Sequence, residues 1–178
     1  MESSIEAVGK FKTNSQSKTG LQENNKVVGS WSISVFDPAG ALVYEDNWTN
    51  VVTNEGKNYL LDAGLSAQAV TTSWFVGLTD GTPTGAATDT LASHAGWTEV
   101  VAYTEAGRQA WTGATAVSQA VTNAASKAVF TINADGTTIG GAFLASSTLL
   151  YAIGAFSGGD VVLSNGSTIE VTAQFSLV

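Results

Sequence analysis

From Val27 to Phe36 the apolar residues Trp31, Ile33 and Val35 alternate with Ser30, Ser32 and Ser34. Side chains on a strand point to opposite faces at successive positions, so this period of two predicts a half-buried strand. Asp37-Pro38-Ala39-Gly40 follows it. Asp can cap the first position of a type I turn, Pro presets the second and Gly tolerates the fourth, so ALVYEDNW should return as an antiparallel partner. Thr53 opens a different pattern, TNEGKNYLLDAG. There Thr53 can cap the exposed amides of a helix, Glu55 suits its positive end and Gly64 can terminate it. Tyr59, Leu60 and Ala63 then fall on one face, expected to be buried.

The rest reads as strands. SWFVGLTDG is an apolar strand closed by Asp-Gly, and Thr82 to Ala95 is a long loop with room for one helical turn, of a length that usually makes contacts. WTEVVAY, RQAWTG, SKAVFTINA, TTIGGAFLAS, LYAIGAF and GSTIEVTAQFSLV form a meander. Asp135-Gly136 and Asn165-Gly166 suit the positive backbone angles of tight hairpins. Gly140-Gly141 and Gly158-Gly159 read as bulges or turns, and the small-residue tract Ala110 to Ser126 as strands and loops. About nine strands and one helix predict a mainly β fold: an antiparallel β-sandwich or jelly roll with one short helix and an extended N-terminal arm. Residues 1–26 are polar and poor in aromatic groups and form the arm; residues 27–178 form the body.

Composition sharpens this picture. Charged residues make up only 12% of the chain, and a surface poor in charge often meets another protein. Residues 1–30 carry four lysines against three glutamates, whereas the remainder carries three cations against twelve carboxylates. An acidic body of this kind disfavours nucleic acid as a partner. No apolar run reaches the length that crosses a bilayer, and MESSIEAVGKFKTNSQSK lacks an apolar leader core. The expectation is a soluble chain made in the cytoplasm, with no membrane partner.

Candidate chemistry is sparse. The chain has no cysteine, and His94 is its only histidine, so a thiolate or histidine-rich zinc site is excluded. His94 next to Ser93 lacks the spacing of a catalytic pair and reads as a loop histidine. Asp80, Asp89 and Glu99 do not follow the spacing of a calcium loop and read as turn-forming or solvated groups. The glycine pairs have neither the lysine of a phosphate-binding loop nor its strand-to-helix setting. Trp31, Trp48, Trp74, Trp97 and Trp111 could form a sugar-stacking platform, but their place in apolar segments favours core or subunit packing. No catalytic residue, cofactor or metal is expected.

NVVTNEGKNYLLD, SWFVGLTDG, AATDTLASHAGWTEVVAYTEAGRQAWT and SKAVFTINADGTTIGGAFLAS together resemble a family of small proteins encoded among the structural genes of tailed bacteriophages and prophages. The resemblance spans residues 50 to about 156, and Asp89 to Trp97 is its most distinctive block. It implies a virion component similar to capsid cement or decoration proteins, which sit on the capsid surface as homo-trimers or homo-dimers bound to the major capsid protein. The alternative it leaves is a tail, fibre or head-tail connector protein. A glycan-binding or hydrolytic module is a third, lesser reading. The candidate contact residues are Phe11, Lys12, Lys18, Leu21 and Lys26 in the arm, and Asp89, Leu91, His94 and Trp97 in the long loop.

Overall fold

A computed structural model describes residues 26–178, apart from 67, 69 and 72. The predicted arm therefore lies outside the described residues except for Lys26. In chain order the first elements are β1 (Val27–Phe36), β2 (Leu42–Thr49), β3 (Val51–Val52), α1 (Asn54–Leu65), β4 (Phe75–Asp80), β5 (Thr98–Val100) and β6 (Gln109–Ala110). The remainder are β7 (Ala120–Thr122), β8 (Ala128–Thr131), β9 (Thr137–Ile139), β10 (Gly141–Ala145), β11 (Leu150–Ala155), β12 (Val161–Leu163) and β13 (Thr168–Leu177).

The alternation in β1 becomes a sheet with one buried face. Trp31, Ile33 and Val35 point inward, and the first strand lies antiparallel against the last along its whole length, from Val27 opposite Leu177 to Phe36 opposite Thr168. β2 joins on the outer side of β1, while β7 and β8 occupy successive stretches of the other edge of β13. The predicted turn between β1 and β2 is present. Asp37 Oδ1 accepts from the amides of Ala39 and Ala41, and Gly40 takes a φ of 84°.

A second antiparallel sheet, in the order β3-β11-β10-β4-β5 with β6 also on β4, closes over this face. Ala142, Leu144, Val76 and Leu78 meet Trp31, Ile33, Val35, Phe130, Ile169 and Val171 in one core, giving the two-layer sandwich. The second sheet is buried on both faces, so every residue of β10 is buried and its strands read as continuous apolar runs. Gly77 lies opposite Phe143, and a Cβ at Gly77 would fall 2.2 Å from that ring.

Several expectations change. TTIGGAFLAS is not one strand: β9 pairs with β12 in a small separate ribbon, and β10 belongs to the second sheet. The chain crosses at Gly140, where a Cβ would lie 1.9 Å from the Gly81 carbonyl carbon, so only glycine fits. The two Xaa-Gly turns keep positive angles at Gly136 (φ 75°) and Gly166 (φ 86°), but they link strands of different sheets instead of closing hairpins. They clasp each other, since Asn165 N donates to Asp135 Oδ1 at 2.8 Å.

Thr53 caps the helix as expected, accepting from Gly56 N at 3.0 Å and donating to the carbonyl of Leu150. The helix runs one residue past Gly64 to Leu65, with Ser66 as its C-terminal cap. Its inner face is narrower than predicted. Gly56 is buried, because the Tyr151 carbonyl oxygen would lie 2.5 Å from a Cβ there, and Tyr59 and Ala63 are half-buried. Leu60 is only partly covered, at the rim of a hollow that Tyr151 and Phe175 also line. The long loop after β4 forms a turn at Ala87–Thr88 and a bridge between Thr90 and Ser93 in place of a helical turn.

Candidate functional site

Gly81, at a φ of 64°, turns the chain after β4, and residues 82–97 fold back over the outer face of the second sheet. A sheet buried on its inner face still exposes apolar side chains on the other, and this loop covers them. Trp97 is 7% exposed, its ring 4.9 Å from that of Phe143, with Ala145, Leu150 and Ile153 in the same cluster and Leu91 packed against it. The base of the loop is tied by Thr84 N donating to the Gly96 carbonyl. Asp89 accepts from Ala86 N at 3.0 Å and from Trp97 Nε1 at 3.4 Å.

His94 stacks on the free side of Trp97, with ring centroids 3.6 Å apart and planes inclined by 8°. Its Nδ1 lies 3.1 Å from the Trp97 carbonyl, which accepts a hydrogen bond when that nitrogen carries the proton. Glu55, at the start of α1, accepts from Leu150 N at 2.9 Å and from Leu91 N at 3.4 Å, so one carboxylate oxygen links helix, sheet and loop. The structure thus brings Asp89, Leu91, His94 and Trp97 together, but around an internal packing job. The exposed residues of the loop are small or hydroxylic: Thr82, Thr84, Ala86 and Thr88 in its first half, Ala92, Ser93, Ala95 and Gly96 in its second.

Beyond Phe143 the same face carries an ion pair. Arg108 holds Glu99 through two bonds of 2.7 Å, with its guanidinium 5.0 Å from the Phe143 ring centroid. The hydrogen bond to Glu99 raises the Arg108 pKa against the opposing effect of burial. On β2, Asp46 accepts from Asn47 N at 2.7 Å, from Gly158 N at 3.0 Å and from the Tyr44 hydroxyl at 3.1 Å. Burial pushes the Asp46 carboxyl up, but these donors and the Ser157 amide outweigh it and leave the pKa below its ordinary value of 3.8. Burial, followed by the bond to Asp46 and its charge, pushes the Tyr44 hydroxyl up to about 12.

A second surface was not foreseen from the sequence. The core-facing row of β13, Ile169, Val171, Ala173 and Phe175, is buried, yet its next member, Leu177, is 53% exposed because the row runs past the opposing sheet. Val27 stands beside it on β1. Leu60, Leu61 and Leu65 on α1 face the same space, Leu61 57% and Leu65 82% exposed. Between helix and sheet lies a groove of about 680 Å³, with Lys26 and Lys57 at its margin. Leu60, Tyr151 and Phe175 also line an adjoining aromatic hollow of about 170 Å³, bounded by Trp74 and Trp111. A signal for this surface existed in the spacing: with Tyr59 on the inner face, Leu60, Leu61 and Leu65 extend the apolar arc of the helix to roughly 240°, too wide for one buried face to contain.

Lys26 is exposed at the foot of β1 and exchanges backbone bonds with Val178. Phe11, Lys12, Lys18 and Leu21 lie outside the described residues. Trp31, Trp48 and Trp97 are buried and Trp74 and Trp111 half-buried, so tryptophan serves packing here. Among the described residues no three His, Asp or Glu side chains are placed to hold a metal ion, and no helix is long and apolar enough to cross a membrane. No protein-family model matches the chain, and neither does any curated protein or solved structure compared with it.

Proposed function

We propose that the chain is a decoration, or cement, subunit of a tailed-phage head, which binds the outer surface of the major capsid protein lattice and turns nothing over. The observation that carries this reading is the exposed apolar surface at one end of the sandwich, where Leu61, Leu65 and Leu177 stand beside the point at which residues 1–25 join the body. Contiguous apolar surface of this kind marks protein interaction sites, and burying one exposed leucine fully is worth about 1.5–3 kcal/mol before ordering costs. The resemblance of its sequence to phage structural proteins points in the same direction.

Binding by many symmetric copies stabilises a lattice by mass action, with modest affinity needed from each. The sandwich supplies a rigid platform, its helix the apolar crest, and residues 1–25 a segment that extends the contact along a neighbour. Beside the half-buried His94, the exposed Ala92, Ser93, Ala95 and Gly96 carry small side chains and allow close approach of a second backbone.

Electron cryomicroscopy of particles purified from the phage or prophage that encodes the chain tests this. Sandwich-sized density repeated over the head, with the α1 end turned to the capsid, is the expected result. Density confined to the tail or a single vertex would favour the tail or connector alternative. Particles that lack the chain would overturn the virion reading altogether.

A further inference from the structure

The aromatic hollow beside α1 differs in kind from the leucine-lined groove that it adjoins. It shares only Leu60 with that groove, and its walls are mostly rings. Tyr151 on β11 and Phe175 on β13 come from opposite sheets and meet edge to face, with centroids 5.0 Å apart and planes at 86°. Trp74, just before β4, stands edge to face with Tyr151 at 5.4 Å and with Tyr59 of α1 at 5.1 Å. Trp111 completes the series at 6.1 Å from Phe175. The hollow they bound measures about 170 Å³. An apolar cavity of about 150 Å³ takes up one benzene molecule, so this space suits a single six-membered ring, which can present its edge or its face to the surrounding π systems.

The polar groups of this wall are not equally committed. Trp111 Nε1 donates to the Ala173 carbonyl at 3.3 Å, and the Tyr59 hydroxyl accepts from Thr71 N at 3.1 Å. Tyr151 is only 6% exposed, yet no group among the described residues accepts from its hydroxyl; its backbone carbonyl alone is engaged, by Thr53. Burial, followed by the neighbouring Tyr59, pushes the Tyr151 hydroxyl up to about 12, so it stays a protonated donor at ordinary pH. A buried donor gains from an acceptor that a ligand brings with it. No charged side chain lines the hollow, and burying an unpaired charge is costly, so the ligand it suits is neutral. We propose that the hollow binds a small neutral aromatic molecule, one ring in size, whose oxygen accepts a hydrogen bond from the Tyr151 hydroxyl. The site belongs to the isolated chain and is independent of what the chain attaches to.

The test uses the full chain and two probes: acetophenone, which carries an acceptor, and toluene, which does not. Each is titrated into isotope-labelled protein while the tryptophan indole N–H signals are followed by NMR. Acetophenone should move the signals of Trp74 and Trp111 and leave that of Trp97, in the separate cluster around Phe143, in place. Tyr151→Phe keeps the ring and removes only the hydroxyl. It should weaken acetophenone binding by about threefold to tenfold, the range of one neutral hydrogen bond, and change toluene binding by less than about twofold. Equal weakening of both probes, or of neither, would overturn the hydrogen bond to Tyr151. Acetophenone that leaves Trp74 and Trp111 unmoved up to its saturation would overturn the site itself.

Discussion

At the scale of single residues, polar side chains in this protein hold loops in place. Asp46 shows how. Its carboxylate gathers the amides of Asn47 and Gly158 and the Tyr44 hydroxyl, so the loop after β11 is fastened to β2 by a charge. Because the folded pKa lies below 3.8, the stabilisation is complete above that value and is lost as the pH falls through the folded pKa. Asp46→Asn should therefore be less stable than the parent at neutral pH, and the gap between their urea midpoints should close on acidification below 3.8. A gap that stays constant over that range would mean that the amide pattern, not the charge, does the fastening. His94 belongs to the same class of residue: the sequence marks it as the sole imidazole, and its ring serves as a lid on Trp97.

At the scale of elements, the long loop acts as a third layer. It puts Trp97 on Phe143 and so lets β10 and β11 be apolar on both faces. Trp97→Ala should cost about 3–5 kcal/mol in urea unfolding, the range for emptying a buried aromatic site. Weakened attachment with undiminished stability would instead show that the ring is a contact. Strands with local alternation, such as β1 and β13, and the capped start of α1 were legible in the sequence, because their causes lie within a few residues. Sheet membership was not. Nothing near Gly140 announces that Thr137–Ile139 pairs with Val161–Leu163 while Gly141–Ala145 pairs with Phe75–Thr79, since the reason is the Gly81 backbone beside it in space. The short strands β3, β7 and β12 have too few residues to show a period. Of the candidate contact residues, the loop block was found as a unit, but its inward orientation depends on Phe143, a partner distant along the chain. The apolar surface on α1 was missed because Leu60 fits a buried face equally well until the position of Tyr151 is known.

On the scale of the whole molecule, the body has its own core, and Val27 onward pairs entirely within it. Removal of residues 1–25 should accordingly leave the β-sheet circular dichroism signal intact while reducing attachment to phage heads in a co-sedimentation assay. Unchanged attachment would remove the segment from the contact. One feature of the architecture also governs how the molecule comes to exist. Strand β13 is hydrogen-bonded to β1, β7 and β8, so the first sheet has no centre until its last strand is in place. Pairing Val27 with Leu177 closes nearly the full length of the body, the kind of distant contact that slows folding to milliseconds or seconds. While translation has not passed Thr168, Trp31, Ile33 and Phe130 lack their cover, and a nascent or prematurely stopped chain is a substrate for chaperones and proteases. The arrangement acts as a quality filter: only polypeptides read through to the end of β13 can complete the first sheet and close the core beneath it.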